Sequence, residues 1–397
     1  MFRDSFAATE REPLEWDYGK IQARLTLGSR WFSRTRHIGQ GIKGATIHRM
    51  TTARRSISAA SAWDRVCSGV GYHLDNLGRW LIVNAPSIGS AYAAFLAPGV
   101  PRLKPRPGWM FAEEYYDQRR WLACRRGALW EAAREKELAV PITVRWHGGT
   151  TVDLTLGNDN SLCLYVCGSF EPNEFAFLDR VLRPGMVFVD VGANDGYYTL
   201  FAARRVGPSG RVVAAEPSSR ERAHLQRNLG RNGLDNVSVV PAAIGAAAGL
   251  ADLHLAHGVH AGHNTLGGFA HDDVVRASLE RVPIEPLDAV VARLGLAKVD
   301  FVKIDVEGAE ARVIAGATAM LTSMRPLMLI EVNDKALRAQ DNCADALMAT
   351  LREDLRYEIF VFSPVTGLLE RPRDGDPLSA NVVAIPGERV ADAISAA

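Results

Sequence analysis

The run from Val187 to Glu216 limits the fold more than any other part of this 397-residue chain. Val187-Phe-Val-Asp-Val191 is a short apolar run of strand length, rich in β-branched residues. It breaks at Gly192-Ala-Asn-Asp-Gly196. From Asn194 the pattern turns helical, with Leu200, Phe201 and Ala203 inward and Gly207 as a stop. A second strand, Arg211 to Ala215, ends on Glu216. The pattern predicts a β-α-β unit with a nucleotide-type turn and an acid at the tip of the second strand.

The chemistry of that turn narrows the ligand. Gly192 and Gly196 let backbone approach a ligand closely, and the helix start offers free N–H groups. Glu216 is placed to take both hydroxyls of a ribose. The spacing is not the dinucleotide Gly-x-Gly-x-x-Gly. Asp190 ends the first strand, close enough to pair with an ammonium group. An amino-acid head joined to a ribose fits better than a pyrophosphate, and that describes S-adenosylmethionine.

The rest of the chain is long enough for two domains. Residues 1–140 carry 22 Lys+Arg against 13 Asp+Glu, and the remainder 24 against 32. Between Asp17 and Asp64 there are nine Lys/Arg and no acid. Such a face binds an anionic partner, lies against the acidic half, or is simply solvated. Five cysteines without a paired framework fit a reducing compartment. Cys163-x3-Cys167 lacks a second ligand pair and is not read as a zinc site. No secretory signal is visible, so a cytoplasmic location is expected. Leu81 to Val100 is uncharged, but Pro86, Pro98 and Asn84 argue against a membrane span.

Residues 1–140 predict a mainly helical accessory or oligomerisation region, through which the chain could form a homo-oligomer. Trp16, Tyr18, Trp31 and Phe32 give it aromatics to bury. Pro98 to Gly108 reads as an extended connector, and Glu113 to Glu137 as one or two helices. Residues 141–397 predict the second domain. Ile142 to Leu156 alternates like a hairpin, Ser161 to Cys167 reads as a strand, and Glu171 to Leu182 as a helix. Ser218-Ser-Arg-Glu221 reads as a capping box for a helix ending near Gly233. Further strands are expected at Val237–Val240, Asp252–Leu255, Val299–Asp305, Leu327–Val332, Tyr357–Phe362 and Asn381–Ile385. His257 to Asp273 reads as a long polar loop. Alternating strands and helices predict a doubly wound, mostly parallel sheet ending in an antiparallel pair. In such a sheet ligands sit beyond the carboxyl ends of the strands, where strand order reverses. Asp190, Glu216, Ala243, Asp305 and Glu331 all fall at such ends.

Several motifs recur in order: Gly168-Ser-Phe-Glu-Pro-Asn-Glu174, Phe188-Val-Asp-Val-Gly-Ala-Asn194, Glu216-Pro217, His263-Asn-Thr-Leu-Gly267, Lys303-Ile-Asp-Val-Glu-Gly-Ala-Glu310 and Glu331-Val332. Together they resemble the FkbM-type methyltransferases, over roughly Pro141 to Pro386 and not over residues 1–140. The resemblance implies a class I, Rossmann-like methyltransferase fold with a seven-stranded sheet. It implies S-adenosylmethionine-dependent O-methylation of a sugar, a glycan or a glycosylated or polyketide natural product. Asp195 stands where such proteins often carry an apolar residue.

On this reading Asp190, Gly192 and Asn194 face the methionine part of the cofactor, and Glu216 holds the ribose. Ser218 adjoins the adenine edge, and Ala242 and Ala243 line its pocket. Glu171 and Glu174 cover the cofactor, a role that the family pattern favours. Asp305, at a strand tip beside the transfer site, is both a cofactor contact and the first candidate base, with Glu331 and Glu307 as neighbours. A carboxylate cluster of this kind could hold Mg²⁺, although the reading does not require a metal. His260 and His263 are further candidate bases, and His263 and Asn264 candidate acceptor contacts. The alternatives are a non-catalytic cofactor-binding scaffold, suggested by the basic first half, and methylation of a nucleic acid or an amine. No Asn/Asp-Pro-Pro-aromatic motif supports amine methylation, and no nucleic-acid partner is expected.

Overall fold

The computed structural model describes residues 59–100, 103–106, 120–260, 262–270, 274–373 and 378–396. Trp16, Tyr18, Trp31, Phe32, the first residues of the expected Glu113–Glu137 helix, and His271 to Asp273 lie outside them. The described part of the first 140 residues is largely helical: Ala59–Asn84, Pro86–Phe95 and Arg120–Glu135. The uncharged stretch Leu81 to Val100 is divided by Pro86, which opens the second of these helices. No helix among the described residues is long and apolar enough to cross a membrane.

Strands β1 (Val140–Arg145) and β2 (Thr151–Leu156) form the expected antiparallel hairpin. Alternate residues of β1 point inward, and they join Ile82, Ala93, Leu129 and Trp130 in one buried cluster. The expected strand at Ser161 to Cys167 is instead a wide helical turn, Leu162–Cys167, closed by Gly168 at φ +74°. All six of its residues are buried. A short run that is apolar on every side carries no periodicity to separate helix from strand.

From there the chain alternates as expected. Helix Pro172–Val181 leads to β3 (Val187–Val191), helix Tyr197–Val206, β4 (Arg211–Ala215), helix Ser219–Asn232 and β5 (Val237–Val240). Strands β6 (Ala243–Ile244), β7 (Gly249–Ala256) and β8 (Arg276–Glu285) form a separate small sheet in the order β6-β8-β7. The chain then returns through β9 (Phe301–Ile304), β10 (Leu327–Glu331), β11 (Tyr357–Phe362), β12 (Leu369–Glu370) and β13 (Asn381–Pro386). The main sheet has eight strands rather than seven, ordered β12-β11-β13-β10-β9-β3-β4-β5, with the two-residue β12 as the extra edge. Strands β5, β4, β3, β9 and β10 run parallel. The last strand inserts antiparallel between β10 and β11. Strand order reverses between β3 and β9, where a ligand crevice belongs.

Period-two alternation divides this sheet into two faces. One buries Val187, Val189, Val191, Val213, Val302, Ile304, Met328 and Ile330. The other buries Phe188, Val212, Phe301, Leu329 and Val383 against the hairpin and the helix Pro172–Val181.

Candidate active site

The carboxyl ends of β3, β4 and β9 open onto one cleft, whose lining includes Gly192, Asn194, Glu216, Ala242, Ala243, Asn264, Asp305 and Glu307. Gly192 lines the cleft, and packing against the neighbouring strand also demands a glycine there. Its φ is +81°, and a Cβ would lie 1.8 Å from the Asp305 carbonyl oxygen. The neighbouring strand end excludes any side chain. Gly196, at φ +93°, would likewise press a Cβ into Leu225. The Gly192 and Ala193 amides both donate to the Ala215 carbonyl at 3.0 Å, which ties the turn to the end of β4.

Glu216 sits at the floor of the cleft. One carboxylate oxygen accepts from the Asn194 amide and the other from the Ser218 amide, each at 2.8 Å. Burial nonetheless pushes its carboxyl up to about 8, against these two donors. Each oxygen keeps acceptor capacity beyond its one amide. The expected capping box is altered: the Ser218 hydroxyl donates to Glu221, and Ser218 makes no side-chain cap to the backbone. Ser218 is fully buried and does not line the cleft.

Behind the cleft lies a buried polar cluster, all of it on the aromatic face of the sheet. Strand register sets Asp190 opposite Lys303 and Glu331 opposite Asn381. Lys303 is 2% exposed. Its ammonium pairs with Asp305 and stands 4.7 Å from the Tyr198 ring centre. Burial disfavours the ammonium, but the charges of Asp305, Asp190 and Glu171 outweigh it and hold the lysine above its usual range. Burial would raise Asp305 as well. The Lys303 charge and a hydrogen bond from Glu331 hold it below the usual carboxylate range. Glu331 moves the other way: burial and the charges of Asp305 and Glu307 push it well up, so it carries the shared proton. Asp190 is raised by burial, and one of its oxygens accepts from the Thr199 hydroxyl at 2.5 Å.

Glu171 and Glu174 flank this cluster from the helix start. Glu171 has φ +38°, accepts from the Tyr198 hydroxyl and takes a 2.9 Å hydrogen bond from Asn381. Asn381 also donates to Glu174 at 3.2 Å, and burial pushes Glu174 up to about 8. Neither acid is among the residues lining the cleft; both interact with the Lys303 charge. Asp190 likewise lies outside the lining.

The polar loop forms the other wall. Thr265 bridges to His254 in β7, and its hydroxyl donates to the Glu307 carbonyl at 2.9 Å. The Asn264 side chain accepts from the Ala256 amide at 2.9 Å, so it shapes the loop as well as lining the cleft. His263 Nδ1 is 3.0 Å from Glu307, and its Nε2 is 3.7 Å from Asp159. Burial would lower this histidine, but Glu307, Asp159 and Asp305 raise it to about 9. The carboxylates on either side thus favour its charged form, in which the ring donates rather than accepts. His260 Nδ1 is 3.0 Å from Asp159, deeper than the cleft lining.

The structure thus brings Gly192, Asn194, Glu216, Ala242, Ala243, Asn264 and Asp305 to one surface. It places Glu171, Glu174, Asp190, Ser218, His260, His263 and Glu331 around it. Sequence reasoning missed Asp159, Tyr198 and Asn381. Asn381 opens an otherwise apolar strand, which is a readable signal. Asp159 is 101 positions from His260 and carried none.

Comparison with known proteins then identifies the region. Residues 190–359 match the model of the methyltransferase FkbM domain. Over those residues the chain is similar to FkbM-type methyltransferase domains. Among its relatives, the 31-O-demethyl-FK506 methyltransferase FkbM of Streptomyces tacrolimicus is 34% identical over 34% of this chain and 60% of its own length. The 2-O-methyltransferase NoeI of Sinorhizobium fredii is 28% identical over 39% of this chain and 66% of its own. The AMB antimetabolite synthetase AmbE of Pseudomonas aeruginosa is 33% identical over 43% of this chain but only 10% of its own length. The matched part of each relative is thus under two thirds of that protein. The matched stretch contains every cleft residue named above, whereas Asp159, Glu171 and Glu174 precede it.

Proposed function

We propose that this chain is an S-adenosylmethionine-dependent O-methyltransferase acting on a hydroxyl of a sugar, a glycan or a glycosylated or polyketide natural product. The observation that carries this reading is the meeting of Glu216, Asn194 and Asp305 on one cleft at the point where strand order reverses. Two of the relatives are O-methyltransferases by name, which supports an oxygen acceptor.

The residues fit the cofactor. Glu216 presents two oxygens, each already oriented by one amide, with room for a ribose hydroxyl apiece. Ala242 and Ala243 leave a small-walled slot beside it for an adenine. Asp305 and the turn at Gly192 face the remaining end. When bound, the cofactor supplies a methyl group on a sulfonium, open to in-line displacement.

The chain's own part is alignment, water exclusion and one proton transfer. An alcohol is a weak nucleophile until its proton leaves. Asp305 is ionised, reaches the cleft, and takes that proton while the acceptor oxygen attacks the methyl carbon. Lys303 and Glu331 set its charge from behind. Glu331 acts through that hydrogen bond, whereas His263 keeps a positive charge at the acceptor side and His260 anchors the loop. Asp190, Glu171 and Glu174 hold Lys303 in place.

A panel of hydroxyl- and amine-bearing acceptors, read by product mass, tests the reading. A gain of one methyl on a hydroxylated acceptor is expected. Methylation of amine-bearing compounds alone would contradict it.

A further inference from the structure

We propose that Asp159, His260 and His263 form a binding site for a divalent first-row transition ion. The proposal would replace the charge given above to His263 with that of the ion and leaves the roles of Glu216 and Asp305 as they are. It rests on three side chains that the fold brings together from two distant segments. Asp159 follows the hairpin, and both histidines sit in the loop between β7 and β8.

The donor atoms are Asp159 Oδ2, His260 Nδ1 and His263 Nε2. The first two are 3.0 Å apart and the first and third 3.7 Å, and all lie within 4.8 Å of one another. Around an ion with bonds of about 2.0–2.2 Å, neighbouring ligands stand roughly 3.0–3.5 Å apart. The observed edges meet that spacing with small adjustment. The side chains are 9–12% exposed, which leaves a shielded position rather than a surface cluster.

A further contact distinguishes this trio from a chance group. His263 turns its other nitrogen, Nδ1, to Glu307 at 3.0 Å. Metal-bound histidines commonly hold a carboxylate in this way, which fixes the ring and raises its basicity. Two imidazoles with one carboxylate select zinc, iron, cobalt or nickel over magnesium or calcium, which prefer oxygen throughout. Three protein ligands leave coordination positions open.

The test uses the full chain, stripped with chelator and titrated with Co²⁺ alone. One Co²⁺ per chain is expected, with visible absorption bands and an X-ray absorption spectrum showing two imidazole nitrogens. Asp159→Asn and His260→Ala should each weaken Co²⁺ binding at least about a hundredfold, and Glu307→Gln about tenfold. Glu331→Gln should leave it unchanged. The absence of saturable Co²⁺ binding would overturn the proposal and leave an ion-pair network only. An all-oxygen shell, or loss of binding in Glu331→Gln alone, would place the ion on Asp305, Glu307 and Glu331 and equally overturn it. The spectrum of the loaded wild-type protein decides the matter even where a variant does not fold.

Discussion

The two faces of the main sheet differ in kind. Both are buried, and both come from the same strands. The face bearing Val189, Val302, Met328 and Ile330 is apolar to the ends of the strands. The opposite face begins with Phe188, Phe301 and Leu329 and then changes, one residue pair from the end, to Asp190, Lys303, Glu331 and Asn381. Packing alone explains the first face. A cluster of acids around one lysine is no aid to packing, because each charge loses water on burial. It persists around Asp305, the one member of the cluster that lines the cleft.

Breaking the polar face should have the largest effect. Lys303→Met leaves Asp190, Asp305 and Glu171 without their counter-charge, and a loss of about 3–5 kcal/mol is expected in denaturant unfolding at pH 8. The loss should shrink at pH 5, where those acids can take up protons. Asp305→Asn should reduce turnover by about 10²–10⁴, beyond any loss in cofactor affinity measured alongside. Unchanged turnover would move the base elsewhere.

Glu174→Gln sharpens the contrast through pH. The Glu174 carboxyl lies at about 8 in the fold against 4.5 in the open chain. The native state therefore binds the extra proton between those values. Its contribution is complete below 4.5 and is lost as pH rises through about 8. The variant should flatten the melting temperature over that window and gain on the order of 1 kcal/mol at the alkaline end. The apolar face should respond least. Ile330→Val removes one methylene from a fully buried site, for about 1 kcal/mol, with methyl transfer unchanged.

Much of this was legible in the chain itself. The apolar runs at Val187, Arg211 and Leu327 read as strands within a residue or two, since strands buried on both faces need no alternation. The strand-end acids Glu216 and Asp305 were placed on the cleft by topology alone. What failed had physical reasons. Leu162–Cys167 is apolar all round and folds as a helical turn. Strand β8 is mostly exposed, and its polar sequence carried no strand signal. The division of labour between Glu171, Glu174, Asp190 and Lys303 depends on cross-strand register, which no local pattern shows. His263 read as a base because its spacing could not show Glu307 and Asp159 on either side.

The central claim is that the acid closing β4 grips a ribose in a cleft shared with Asp305. Titration calorimetry of S-adenosylmethionine against the wild-type chain and Glu216→Ala tests it most directly. The variant should bind about 10- to 100-fold more weakly, the loss of two ribose hydrogen bonds. Equal affinity in the two proteins would contradict the account.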